Sequence, residues 1–391
     1  MPALPGVIFR VDERSDRHLF YQTLFKWRYI ISMTSRERII ACVEGKKTDR
    51  LPFIIRWGPW GDTHRRWKEE GMKDDNDWYN LFNFDPFQVG TGVNFGICPP
   101  FKHEILADEG DKIVFRDEQG VLKRDRKGHT TMPQFLEYPV KDWKTWEEHK
   151  WRFDPDSPER FPADWDERAK QLRGSEVVVA VGIYPYGFFG GARTMMGAEA
   201  CLMACALEPE LIDDINNTLC NLWYKLWSRV FEETRVDEIG MWEDMAGKQG
   251  SLISPKMFRR FLTPYYKKLS DLGRKHDVKI VSVDSDGNLN ELTGLFLEAG
   301  VNAPYPYEVQ AGNDIPYLLK KYPNFCALGG MDKRAMAKGK AAIDAEMERV
   351  KSIIPMGRYI PFPDHLIPAD VSWENYQYFV WRWKEITGKK D

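Results

Sequence analysis

Cysteine is scarce in this chain and nowhere paired. Its six cysteines, Cys42, Cys98, Cys201, Cys205, Cys220 and Cys326, are scattered with no CxxC motif, and a chain of 391 residues buries enough core to need no disulfide staples. That pattern predicts reduced thiols in a cytoplasmic protein. Long apolar runs are missing as well. The longest, around Val177–Tyr184, falls well short of the roughly 20 residues that a bilayer demands, so no membrane span is expected. Nor is there an excess of positive charge: 56 basic against 59 acidic side chains leave a net charge of −3 and no basic tract to follow a phosphate backbone. Nucleic acid is excluded as a partner on that ground. Finally, no GxGxxG or P-loop segment follows the first strand, which removes the nucleotide-binding form of an open α/β sheet.

What is present is a regular alternation. Residues 1–32 mix charge and aromatics and lack the apolar block of a secretory signal. Either they are an N-terminal helical extension, or the natural start lies at Met33, because Thr34-Ser35-Arg36-Glu37 reads as a capping box opening a helix over 34–45. Residues 33–391 are expected to form one domain. Leu51–Ile55 reads as an apolar strand ending at Arg56, and another strand is expected near 87–95. Residues 112–126 read as a β-hairpin about Gln119-Gly120. From 176 onward, strands at 176–183, 236–242, 278–283, 301–305, 325–329 and 358–362 alternate with helices at 198–233, 255–276, 289–299 and 335–353. This is the pattern of a parallel sheet covered by helices, and the count of about eight predicts an α/β fold of the TIM (β/α)8 barrel type with a β-hairpin insertion. An open doubly wound sheet is the competing arrangement.

A barrel of this kind gathers its chemistry at the C-terminal ends of its strands. There the sequence places Arg56 and Trp57, Tyr184 and Tyr186, Glu243 and Asp244, Asp284 and Asp286, Tyr307 and Glu308, Asp332 and Lys333, and Asp364 and His365. Any single aspartate here could be a helix cap. The concentration on one rim predicts a polar site. Asp284 and Asp286 stand before the Gly287-Asn288 turn, and Asp286, next to the glycine, is the one expected to serve the turn. Glu243 is expected to face inward with Asp244 as a cap. Arg56 and Arg193 each either bind a substrate carboxylate or only fix their own loop, and a carboxylated substrate would use one of them. His276 fits a helix C-terminus, and His18, His64, His103, His129 and His149 form no pattern.

The stretches SRERIIACVEGKKTDRLPF, WEDMAGKQGSLISPKMFRRFLTPYYKKL, VDSDGNLNELTGLFLEAGVNAPYPYEVQAG, LGGMDKRAMAKGKAAI and YIPFPDHLIPADVSWENY resemble the uroporphyrinogen decarboxylase superfamily, from about Met33 to the C-terminus. That group holds porphyrinogen decarboxylases and corrinoid-dependent methyltransferases on a TIM barrel. Authentic decarboxylases carry an Arg-rich MRQAGR after the first strand. Here IRWGPW keeps Arg56 and puts aromatics, Trp57 and Trp60, where the second arginine would stand. The thiol-directed methyltransferases hold zinc with His-x-Cys and a later Cys. Here those positions read Asp284 and Asp286, and the later one falls near Asp364-His365.

The resemblance therefore implies a substrate-specific methyltransferase, moving a methyl group from a small O-methylated, methoxylated aromatic donor to a corrinoid. With no DxHxxG segment in the chain, the corrinoid is expected on a separate partner protein. Glu243, Asp284 and His365 are the candidate catalytic groups. Arg56, Trp57, Tyr184, Tyr186, Arg193, Trp242 and Glu308 are the candidate substrate contacts, with Trp60 and Phe188 adding to the aromatic wall. Glu243, Asp284, Asp286 and His365 are also the candidate ligands for a divalent metal such as zinc. The alternatives are a decarboxylase or lyase acting on a small carboxylate, and a non-catalytic ligand-binding protein on the same scaffold.

Overall fold

The computed structural model describes residues 32–128 and 132–390. The expected N-terminal extension, together with His18 and His129, lies outside the described residues. Residues 34–391 cluster as one compact unit. The first helix, Ser35–Val43, opens on the expected capping box: Thr34 Oγ1 accepts from the Glu37 amide at 3.2 Å while Glu37 accepts from the Thr34 amide at 2.9 Å.

The central sheet is parallel, in the order β1 (Gln88–Gly90), β6 (Val178–Gly182), β7 (Glu238–Trp242), β10 (Ile280–Asp284), β11 (Ala303–Tyr305). A second parallel pair, β12 (Ala327–Leu328) and β13 (Tyr359–Ile360), continues it. The joint between the two is made by single bonds, from the Cys326 amide to the Asn302 carbonyl at 2.8 Å and from the Gly330 amide to the Pro306 carbonyl at 2.8 Å. The eighth stave is the extended segment 51–59. It is not a ladder strand, in contrast to the sequence expectation for Leu51–Ile55. It joins its neighbours through an Asp85 amide to Phe53 carbonyl bond of 2.8 Å, returned by the Phe53 amide to the Asp85 carboxylate at 2.9 Å, on one side and a Pro59–Ile367 bridge on the other. Prolines at 52 and 59 remove two of the amides a ladder would need. The result is a (β/α)8 barrel.

Apart from β1, which is at most half-buried, the barrel strands are short and largely buried, and their register places alternate side chains inside. Glu238 faces Ile280, Gly240 faces Ser282, and Trp242 faces Asp284, which in turn faces Tyr305. The middle layer, with Gly182, Gly240, Ser282 and Ala303, is made of small residues. Gly240 is required there, since a Cβ would stand 2.8 Å from Ile183 Cγ1. Outside the barrel the long helix Pro209–Glu233 buries Trp223 and Trp227 against the core.

The expected hairpin is part of a larger insertion. β3 (Lys112–Arg116) and β4 (Leu122–Arg126) pair as foreseen, flanked by β2 (Glu104–Asp108) and β5 (Gln134–Glu137) in a four-stranded antiparallel sheet. β2 and β5 carry exposed side chains throughout, so no alternation marked them in the sequence. The insertion leaves from the C-terminal end of β1 and abuts the helix Phe189–Met196 through a Val140 amide to Met195 carbonyl bond of 3.0 Å. A minor hairpin, β8 (Ala246–Gly247) with β9 (Gly250–Ser251), follows β7 on the same rim. Among the described residues no helix is long and apolar enough to cross a membrane.

Candidate active site

Among the described residues, three of the six non-glycine residues with positive φ follow barrel strands at the C-terminal rim: Ile183 (φ 73°) after β6, Asp244 (φ 42°) after β7 and Tyr307 (φ 56°) after β11. For a β-branched residue such as Ile183 this conformation is strained, and strain of this kind collects where a site dictates the backbone. The rim around them holds most of the residues singled out from the sequence.

Asp284 ends β10. Its carboxylate is partly accessible from the mouth yet surrounded by protein, and among the described residues nothing donates a hydrogen bond to it. Burial pushes its pKa up to about 8, against the opposing charge of Arg56 and with a further push from Asp286. It is therefore an acid at neutral pH. Beside it Asp286 and His365 form an ion pair at 3.3 Å, and the His365 ring stacks on Trp57 at 5.5 Å. Burial opposes the charged ring, but the hydrogen bond and charge of Asp286 outweigh it and raise the His365 pKa. Asp286 thus serves a histidine rather than the turn expected for it. The Gly287 amide is held instead by Glu308 at 3.0 Å. In Asp286→Asn the His365 ring should titrate below its wild-type value, read from the pH dependence of its proton NMR signals.

Glu243 is placed differently from the inward-facing catalytic group that the sequence suggested. Its carboxylate is fully buried and accepts from the amides of Phe188 at 3.0 Å and Gly190 at 2.8 Å and from the Tyr266 hydroxyl at 2.6 Å. It satisfies the open end of the helix Phe189–Met196. Burial pushes its pKa up to about 7, against these hydrogen bonds. Phe188 lies in the core against Trp223 and Tyr265, not in the wall of a pocket. Tyr186 faces the same way, packing on Phe95 and Trp223 beside a cavity of about 30 Å³.

Arg56 lies under the site. Its guanidinium rests on the Tyr305 ring at 3.7 Å, donates to the Tyr305 hydroxyl, and stands 4.0 Å from Glu238, with the side chain only 6% exposed. Arg193 pairs with Asp244 and lies over the Trp242 ring at 5.6 Å. Tyr184, exposed, meets Trp242 edge-on at 5.0 Å. Glu308 is tied to Lys333 at 3.2 Å, and Lys333 stands 3.8 Å from Asp364. Burial moves Asp364 up to about 6, against the charge of Lys333. The aromatic side chains open to the mouth are thus Trp57, Trp242 and Tyr184, with Tyr305 and Phe362 buried behind Trp57. Tyr305, Glu238 and Phe362 were missed from the sequence. Tyr305 could have been found, because the strand register sets it directly beside Asp284.

The expected metal ligands do not converge. No group of three potential ligands is assembled among the described residues, and the Glu243 carboxylate is filled by its own donors. The donor set as placed does not fit a zinc ion. Two larger cavities lie apart from the rim acids. One, of about 180 Å³, lies between the insertion sheet and the helix Trp143–Lys150. The other, of about 580 Å³, lies at the N-terminal ends of β10 and β11.

An acid, an ion pair and an aromatic wall on the C-terminal rim of a (β/α)8 barrel form the architecture of a barrel enzyme. The chain belongs to the uroporphyrinogen decarboxylase (URO-D) family, whose model matches residues 186–386. Among solved structures it is similar to a methyltransferase from Methanosarcina mazei at 16% identity and a TM-score of 0.56, over 90% of this chain and 99% of that one, a likeness of fold. A vitamin-B12-independent methionine synthase from Listeria monocytogenes matches at 12% identity over 58% of this chain and 69% of that one, with a TM-score of 0.32, too low to carry an argument. No curated protein matches the sequence.

Proposed function

We propose that this chain is a methyltransferase that removes the methyl group of a small O-methylated donor, of the methoxylated aromatic kind, and passes it to the cobalt of a corrinoid carried by a separate protein. The observation that carries the reading is Asp284. An ether oxygen is a poor leaving group and departs readily only when it takes up a proton. Asp284 offers that proton at neutral pH, from a carboxyl to which nothing among the described residues donates a hydrogen bond. Trp57, Trp242 and Tyr184 supply flat apolar faces against which an aromatic ring would pack.

In the reaction the O–CH3 bond breaks and the oxygen keeps its electron pair. Asp284 gives that oxygen its proton and regains one from solvent at the mouth. A reduced corrinoid, when bound, would supply the electron pair for the new bond to the methyl carbon. The similarity of fold to a methyltransferase supports the same reading. A decarboxylase acting through Arg56 is less well supported, because that guanidinium lies below the site, against Tyr305 and Glu238.

The test is anaerobic incubation of the protein with reduced corrinoid and a panel of methoxylated arenes. The free phenol should appear, with the matching change in the corrinoid spectrum, only when all three are present. If no donor in the panel gives both signals, the proposal fails.

A further inference from the structure

The mouth carries several basic side chains, and the chain itself has already engaged those built into its wall. Arg193 is held by Asp244, through both its carboxylate and its carbonyl. Lys333 lies between Glu308 and Asp364 and is 12% exposed. His365 is paired with Asp286. Arg56 is bonded to Tyr305, and its other terminal nitrogen, buried and without a hydrogen bond, stands 4.0 Å from Glu238. Lys248, on the rim hairpin, is exposed to water, where an ion pair contributes little. Among the described residues, a carboxylate on a donor would enter among Asp244, Asp286, Glu308 and Asp364 with no solvent-accessible cation of the wall left unpaired to meet it. An unpaired charge taken from water into such a pocket is costly, whereas an uncharged ring loses only surface water.

We infer that this site selects uncharged methoxyarenes over methoxybenzoates, and that Asp244 enforces the choice by occupying Arg193. The inference rests on the methyl-transfer reading for its substrate and adds the charge class. It also revises the sequence expectation that Arg56 or Arg193 anchors a substrate carboxylate.

Arg193 is the informative group, since it is the most accessible of the four, with 28% of its side chain exposed, and it lies over Trp242, the residue in register with Asp284. Asparagine keeps the shape of Asp244 and tolerates its left-handed backbone, so Asp244→Asn should fold while loosening Arg193.

The experiment compares matched pairs, methoxybenzamide and methoxybenzoate with the methoxy group at each ring position. Binding is followed by tryptophan fluorescence, and turnover with reduced corrinoid by phenol release. The wild-type protein should favour the amide by about 100-fold, and Asp244→Asn should narrow that gap at least tenfold. Equal or tighter binding of the benzoate, or binding of neither compound, overturns the selection for uncharged donors. A gap unchanged in Asp244→Asn overturns the assignment to Arg193 and Asp244. Amide binding without turnover of any isomer removes the methyl-transfer reading instead and leaves the charge preference standing on the binding data.

Discussion

Replacing Asp284 by asparagine should abolish most turnover and at the same time make the protein more stable. Loss of a proton donor to a leaving oxygen costs about 10²–10⁴-fold in rate, and donor binding should change little because the aromatic wall is untouched. The stability effect follows from the proton. Asp284 titrates near 8 in the folded protein and near 3.9 in an unfolded chain. Between those values the native state holds a proton that the unfolded state has lost, so this group's contribution falls as pH rises from about 4 to about 8. Asparagine removes the loss. At pH 8.5 the variant should be more stable by about 2 kcal/mol, less than the whole shift implies because the carboxyl keeps contact with water at the mouth. Urea titrations at pH 5 and pH 8.5 check it: the gain should be present at the higher pH and small at the lower. In the wild type, activity should fall as pH passes through about 8. An unchanged rate in Asp284→Asn would remove it as the acid.

Glu243→Ala should act in the opposite sense, with a large loss of stability. The change leaves the amides of Phe188 and Gly190 and the hydroxyl of Tyr266 buried without their acceptor. At about 1–3 kcal/mol for each stranded group, relieved in part by local rearrangement, the loss should be about 3 kcal/mol. Its structural effect should centre on the segment 183–196, which carries Tyr184 and Arg193. Hydrogen exchange should therefore quicken there before it quickens in β10 or β11. A variant that lost activity while keeping full stability and protection would return Glu243 to the catalytic group.

The alternation of strand and helix gave away the barrel because the barrel strands from β6 onward are largely buried and apolar, and each of these was located to within a few residues. Two features escaped for physical reasons. The stave 51–59 looks like a strand in composition, but its prolines limit it to isolated bonds with its neighbours. The outer strands of the insertion face water on both sides and leave no periodic trace. At the site, Asp284, Asp286, His365, Trp57 and Trp242 are where the rim argument puts them. Glu243 is not, since the same sequence position suits an acid facing a substrate and one closing a helix end. Only the Phe188 and Gly190 amides, 55 and 53 residues away, decide between them. The pairing of Arg193 with Asp244 was equally hidden, because partners 51 residues apart share no local pattern.

The barrel's closing joints also set a timetable. Arg56 is made early in synthesis, but its partner Tyr305 follows 249 residues later, and the bridge from Pro59 to Ile367 later still. At roughly 5–20 residues per second, the arginine waits about 12–50 s on the ribosome for the ring on which it will rest. Asp284 itself is made only shortly before Tyr305, and it stays an ordinary solvated aspartate until the barrel folds around it. The acid is thus not a property of any segment of the nascent chain; it comes into being when the closed barrel takes that carboxyl out of water.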